Sequence, residues 1–191
     1  MKKSLGIILL MLLLILPAGL VIGFSYVDSS HPIEHRMVEH DAFLKKSSND
    51  VEILFFGFAG CAVVCPVSLA KMGDVLDADA IKNGQKKVGG LFVEVKSTLD
   101  ETGDDLYADR YSRAFSGKIK GYTPDLETYQ QLAQEFVLRV YENRSDSGQI
   151  SHTDHFFILT RKGEKWAIER VLKNNIETSH MVGIVSQAAN I

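Results

Sequence analysis

The sequence predicts an α/β domain built on a mixed β-sheet, and two patterns carry that prediction. Nearly continuous apolar runs, VEILFFGF at 51–58 and LFVEV at 91–95, read as strands buried on both faces, as in a parallel sheet covered by helices. Between and after them apolar residues return at helical spacing, and the chain closes with a hairpin pattern and a last helix.

The first segment is set apart from the fold. Lys2 and Lys3 precede an apolar run of 20 residues, Leu5 to Phe24, broken only by Pro17 and small residues. That is the length a helix needs to cross the hydrocarbon core of a bilayer. Residues 1–24 are expected to be an uncleaved transmembrane anchor. A cleaved signal peptide is the alternative, but its apolar region is usually shorter, and Val21 and Gly23 before Phe24 make a weak exit. With Lys2 and Lys3 kept in the cytoplasm, the rest of the chain lies on the outer, periplasmic side of the cytoplasmic membrane. Residues 25–50 are polar and mixed, with His31, Pro32, His35 and His40, and are expected to be a juxtamembrane linker. Residues 51–191 then form one domain, large enough to bury a core without disulfide staples. The net charge is −3 with scattered Lys and Arg, which excludes a nucleic-acid surface.

Each element follows from local pattern. Val51–Phe58 is the first strand, and Gly57 and Gly60 flank a tight turn after it. A helix begins near Cys61–Pro66, with Leu69, Met72 and Leu76 on one face; proline is tolerated in a first turn. Leu91–Val95 is the second strand, and Leu106–Phe115 a helix. Thr123-Pro124-Asp125 opens another helix, with Thr123 as cap and Pro124 first, and Leu126, Tyr129, Leu132, Ala133 and Phe136 give its apolar stripe. Val137–Tyr141 reads as a short strand and Glu142–Gly148 as a polar loop. Phe156–Thr160 and Lys165–Val171 flank a turn at Arg161–Glu164, and Thr178–Ala189 is the closing helix. A parallel β-α-β half followed by an antiparallel hairpin and a final helix is the thioredoxin-type arrangement.

The two cysteines, Cys61 and Cys65, carry the chemistry. Spaced i, i+4, they share one face of a helix. At that distance two thiols can grip one soft metal ion or close a disulfide. The loop such a disulfide closes is very short and stabilises little on the chain-entropy account. A helix N-terminus favours the thiolate, which is both ligand and nucleophile.

The segment FFGFAGCAVVCPVSL resembles the SCO/SenC family of copper-binding assembly proteins, whose hallmark is a strand followed by F-G-F-T-x-C-P-x-x-C-P. Phe56, Gly57, Phe58, Cys61, Cys65 and Pro66 match it, while Ala59, Ala62 and Val63 depart from it. Ala114-Phe115 and Gly121-Tyr122-Thr123 fall where the family has an A-F and a G-L-T segment. The V-D-P-E-R-D-T stretch survives only as Val95, with Lys96 in place of the Asp, so the chain reads as a divergent member. The resemblance implies a third ligand, a histidine eleven residues before a turn glycine. Counting back from Gly163 gives His152, followed by Thr153, with His155 in reserve. His31, His35 and His40 read as solvated linker residues and His180 as part of the last helix.

The resemblance thus implies copper, as Cu(I) or Cu(II), held by Cys61, Cys65 and His152. Thiolate and imidazole ligands suit that metal, and structural zinc normally takes four protein ligands. It further implies a membrane-anchored metallochaperone whose partners are the copper-receiving subunit of a respiratory cytochrome c oxidase and another copper carrier or a thiol reductant. That is a metal-binding assembly factor more than an enzyme, with thiol-disulfide reductase activity left open. The alternative is a periplasmic thiol-disulfide oxidoreductase acting through Cys61 and Cys65 without a metal. Against it stand the C-x3-C spacing, the absence of Trp before Cys61 and the absence of proline after Pro124. A peroxidase-like relative needs Thr where Phe58 stands. A tethered scaffold whose site has decayed is the remaining reading, kept open by Lys96.

Overall fold

The chain's central strand, β1 (Val51–Gly57), is buried along its whole length, as its apolar run, broken only by Glu52, leads one to expect. The computed structural model describes residues 31–58, 61, 63–95, 107–142 and 150–190, together with Leu13. The expected anchor at 1–24 otherwise lies outside the described residues, and among these no helix is long and apolar enough to cross a membrane. Ile33–Ile191 forms one compact unit.

After β1 come α1 (Val64–Asp77), the short α2 (Asp79–Lys82), β2 (Val88–Glu94), α3 (Tyr107–Arg113), β3 (Ile119–Tyr122) and α4 (Leu126–Glu135). The second half holds β4 (Val140–Glu142), β5 (Ile150–His152), β6 (His155–Lys162), β7 (Lys165–Lys173) and α5 (Thr178–Asn190). Five strands form one mixed sheet in the order β3-β2-β1-β6-β7. β1, β2 and β3 run parallel; β6 and β7 join antiparallel. The predicted α/β, thioredoxin-like sheet flanked by helices is therefore the fold observed.

Strand alternation divides the core into two layers. Val51, Ile53 and Phe55 point to the face covered by α1, α3 and α5, where they meet Leu69, Met72, Ala108 and Val185. Leu54 and Phe56 point to the other face, where Leu132 and Phe136 from the α4 end pack with Trp166, Ile168, Ile33, Val38 and Leu44.

That second layer changes the reading of residues 33–50. They were expected to be linker, but Ile33, Val38 and Leu44 are all buried. Val38 N–H donates to the Trp166 carbonyl and Ile168 N–H to the Arg36 carbonyl, so the segment runs along β7 and covers that sheet edge. The Glu135 carboxylate accepts from the backbone N–H groups of Glu39 and His40 and contacts the His40 ring, tying the segment to α4. These side chains have no helical or alternating period, so polar composition hid them.

Other differences are local. β3 was not expected as a strand, yet it pairs parallel with β2 from Gly90–Ile119 to Val93–Tyr122. Here Gly121 is required by contact: a Cβ would stand 2.1 Å from the Ala108 backbone of α3. The cap of α4 is Asp125 and not Thr123; its carboxylate accepts from Thr128 N–H at 2.7 Å, while the Thr123 hydroxyl donates to Glu94. The strand expected at Val137–Tyr141 begins only at Val140, because Val137 sits at φ +52 in the turn that ends α4. β4 then pairs with β5 as a separate two-stranded ribbon. The β6–β7 turn is confined to Gly163 and Glu164, with Gly163 at φ +67, where glycine carries no Cβ penalty.

Candidate metal and thiol site

The site lies at the C-terminal end of β1, where the chain turns into α1. Cys61 N–H donates to the Phe58 carbonyl at 2.9 Å, closing that turn. The helix starts three residues past Cys61, later than its earliest expected start, and puts Cys65 in its first turn with Pro66 just behind. Proline costs little there, because the N–H it lacks has no partner within the helix anyway. Val63 offers no side-chain cap. The backbone amides of the helix start favour the thiolate form of Cys61.

This geometry splits the two thiols. Partial burial tends to raise Cys61, but the amides of the first helical turn and the Cys65 thiol outweigh it and hold Cys61 below the ordinary thiol value. Cys65 is wholly buried. Loss of solvent pushes it up to about 12, and the neighbouring Cys61 adds to the rise, although Phe58 N–H donates to its sulfur at 3.4 Å. Both cysteines are free thiols. Val63, Val64 and Val67, next to the cysteines in sequence, are exposed.

Gly57 makes room for the buried sulfur. A Cβ on it would stand 2.9 Å from Cys65 Sγ and 2.6 Å from the Phe92 ring. No side chain larger than hydrogen fits between strand and thiol.

The histidine comes from the β4–β5 ribbon. His152, the last residue of β5, pairs with Val140. The ribbon's end is locked by Thr153 N–H donating to the Arg139 carbonyl at 3.0 Å and Arg139 N–H donating to Thr153 Oγ1 at 2.9 Å. His152 Nδ1 lies 2.9 Å from the Thr153 carbonyl, which can only accept. The proton therefore sits on Nδ1, and the Nε2 lone pair faces Cys65 Sγ at 3.8 Å. The ring also stands edge-on to Phe55, with centroids 6.3 Å apart.

The donor set fits a soft or borderline cation. With bonds of about 2.3 Å to sulfur and about 2.0 Å to nitrogen, two ligands subtending 120° at one ion stand about 3.7 Å apart. The Cys65–His152 separation is already of that size. Among the described residues no three His, Cys, Asp or Glu side chains are drawn close enough to enclose an ion.

The reserve histidine is placed elsewhere. His155 opens β6 opposite Lys173. Its neighbour Phe156 faces the layer that holds Cys65, so alternation turns His155 toward the other face. His35 lies beside Arg170, His40 beside Glu135, and His180 is exposed on α5. Tyr111 was not singled out by the sequence. It packs on Phe92 beside the cysteines, and burial together with the charges of Cys65 and Cys61 pushes its phenol up to about 12. Only its aromatic spacing with Tyr107 and Phe115 marks it, and that spacing reads as packing.

A thioredoxin-like sheet carrying a split thiol pair at the β1–α1 turn, with a histidine brought to the buried sulfur, defines a class of thiol- and metal-handling domains. Residues 39–189 match the model of the SCO1/SenC family, and the chain belongs to that family. It is 27% identical to the mitochondrial SCO2 homolog of Danio rerio over 108 residues, which are 56% of this chain and 37% of that protein. It thus spans about a third of the length of that relative. Among solved structures it resembles Arabidopsis thaliana ScoI with copper bound, at TM-score 0.60 and 19% identity, covering 73% of this chain and 83% of that one. It also resembles BsSco, a member of the Sco family of cytochrome c oxidase assembly proteins in which a disulfide switch was identified. There the TM-score is 0.53 at 16% identity, covering 85% of this chain and 98% of the other.

Proposed function

We propose that this chain is a copper carrier that holds one ion through Cys61, Cys65 and His152 and passes it to the copper-receiving subunit of a respiratory cytochrome c oxidase. The observation that carries the reading is the approach of His152 Nε2 to Cys65 Sγ at 3.8 Å, with the Nδ1 proton turned away onto Thr153. Copper is the cargo; the chain's residues bind, orient and release it. Two thiolates select a soft ion, and imidazole accommodates either copper oxidation state. Three ligands leave a side open, as a carrier must. Membership of the SCO1/SenC family and the copper-bound relative support the choice of metal. In this reading residues 1–24 are the membrane anchor, supported by the apolar run from Leu5 to Phe24, and the domain stands on the outer side of the cytoplasmic membrane.

Titration of the chain from residue 31 with copper under reducing, anaerobic conditions tests this. One ion per chain is expected, with binding lost in Cys61→Ala and Cys65→Ala. A protein that takes up no copper contradicts it. Protease treatment of spheroplasts tests the topology, since a protected domain is inconsistent with outer placement.

A second reading, thiol-disulfide exchange, is favoured by one observation: the lowered Cys61 beside the raised Cys65 is an attacking thiol paired with a buried one. It predicts reduction of a model disulfide by metal-free protein at a rate abolished by Cys61→Ala.

A further inference from the structure

We propose that Thr153 is a positioning residue for His152: its side-chain oxygen clamps its own peptide to Arg139, and so holds still the carbonyl that turns the Nε2 lone pair of His152 toward the Cys65 sulfur. The inference rests on the reading of His152 as a metal ligand and deepens it by naming the residue that fixes the ring.

Three hydrogen bonds converge on Thr153. Its carbonyl accepts from His152 Nδ1–H at 2.9 Å. Its N–H donates to the Arg139 carbonyl at 3.0 Å, and its Oγ1 accepts from Arg139 N–H at 2.9 Å. The first bond sets the ring and the other two set the peptide. An imidazole has two neutral tautomers, and the hydrogen bond made by one nitrogen decides which form is present. A carbonyl at Nδ1 selects the form whose lone pair is on Nε2, the atom that stands 3.8 Å from Cys65 Sγ.

That carbonyl can orient the ring only if it does not move, and its position in the chain offers little other support. β5 ends at His152 and β6 begins at His155, so Thr153 and Asp154 alone join them. The β4–β5 ribbon has three residue pairs, with Val140–His152 at its end. A ribbon of two short strands is marginal by itself. The Thr153–Arg139 clamp carries the pairing one residue further and adds a side-chain bond to the main-chain one. Arg139 is in turn tied to the body of the domain. Leu138 N–H donates to the Ala133 carbonyl of α4 at 2.8 Å, and Leu138 packs on the layer that holds Leu132 and Phe136. A line of contacts thus runs from α4 through Leu138, Arg139 and Thr153 to the His152 ring. Valine would suit an extended chain as well as threonine does, so backbone preference alone does not account for the oxygen. Ligating histidines commonly donate their other ring N–H to a carbonyl or carboxylate, and loss of that partner weakens metal binding. Here the partner is main chain, so the residue open to substitution is the one that holds the main chain in place.

The test compares Thr153→Val, which keeps the branched shape and removes the oxygen, with Thr153→Ser, which keeps the oxygen. The full chain and both variants, metal-free and isotope-labelled at histidine alone, are studied by imidazole nitrogen NMR in mildly alkaline buffer, where histidine is ordinarily neutral. His152→Ala assigns the signal. Wild type should carry the proton on Nδ1 of His152. In Thr153→Val the population should move toward the Nε2–H tautomer, which imidazole side chains favour in water; in Thr153→Ser it should stay as in wild type. Anaerobic titration with Cu(I) should then show the valine variant binding about tenfold more weakly and the serine variant binding like wild type. A wild type with its proton on Nε2 overturns the proposal. So does a valine variant with the wild-type tautomer, whatever its melting temperature, since a merely structural role would lower stability and leave the ring as it is. A serine variant that behaves like valine overturns it by removing the oxygen from the cause, and a shifted tautomer with unchanged copper affinity overturns it by separating the ring from binding. If wild type takes up no copper, the carrier reading fails, while the metal-free spectra still decide whether Thr153 sets the ring.

Discussion

Gly57→Ala puts the packing of the site to a quantitative test. The new methyl would stand 2.6 Å from Phe92 Cε2, 2.9 Å from Cys65 Sγ and 3.0 Å from Phe55 Cε1. Two of these distances are shorter than Cβ atoms adopt in proteins, and none of the three neighbours is the free end of a flexible side chain. Phe55, Phe92 and Cys65 are all fully buried, so relief requires moving core atoms. Overpacking of this kind costs about 1–3 kcal/mol. For a domain of this size that lowers the melting temperature by about 2–12 °C. The displaced atom is a proposed ligand, so copper affinity should fall with stability. Differential scanning calorimetry and a competitive copper titration on wild type and variant measure both. An unchanged melting temperature would refute the close packing of sulfur on strand; a destabilised variant with full copper affinity would refute Cys65 as ligand.

Three further expectations follow from buried groups. Cys65 is held at about 12 in the metal-free protein, so it binds metal only by releasing a proton; copper affinity should climb about tenfold per pH unit from this residue alone across pH 6–8. Competition titrations showing no pH dependence would contradict it. Glu52 is buried, and desolvation pushes its carboxyl pKa above the usual carboxylate value despite hydrogen bonds from Ser47 and Asn49. The folded state therefore holds its proton longer than the unfolded state, and the stability tied to this proton is lost as pH rises through the folded value. Urea denaturation should show Glu52→Gln gaining on wild type between pH 4 and pH 7; parallel curves would remove Glu52 from the account. Leu44→Ala should destabilise the domain by about 2–5 kcal/mol if residues 33–50 are part of its core, because Leu44 is fully buried there. A neutral result would return the segment to the status of linker.

The legible parts of the fold were those with local patterns. β1 is buried on both faces and its run is nearly continuous; α1 and α5 carry apolar residues at helical spacing. β3 and β5 escaped, and β4 was foreseen only over Val140–Tyr141, because each of these strands is only three or four residues long and is fixed by its neighbours. Gly121 illustrates the point: in sequence it weakens a strand, whereas in the structure it is what lets α3 lie on β3. Asp125 displaced Thr123 as cap because Thr123 is committed to Glu94 across the sheet edge, a partner far away in sequence.

The candidate site divides the same way. The cysteine pair and its glycine turn are contiguous and could be read directly. His152 was reached by register from Gly163, since Asp154-His155 draws the eye first. The structure places His152 beside Cys65 and turns His155 to the other layer. Tyr111 was not visible in the sequence, because its place near the cysteines comes from packing on Phe92, a residue of β2.

X-ray absorption at the copper edge, on the loaded wild type and on His152→Ala and His155→Ala, addresses the ligand set most directly. The account predicts two sulfur scatterers and one imidazole nitrogen in wild type. The nitrogen should disappear in His152→Ala and persist in His155→Ala. An imidazole signature lost in His155→Ala but retained in His152→Ala would contradict it, as would a copper shell of sulfur alone in wild type.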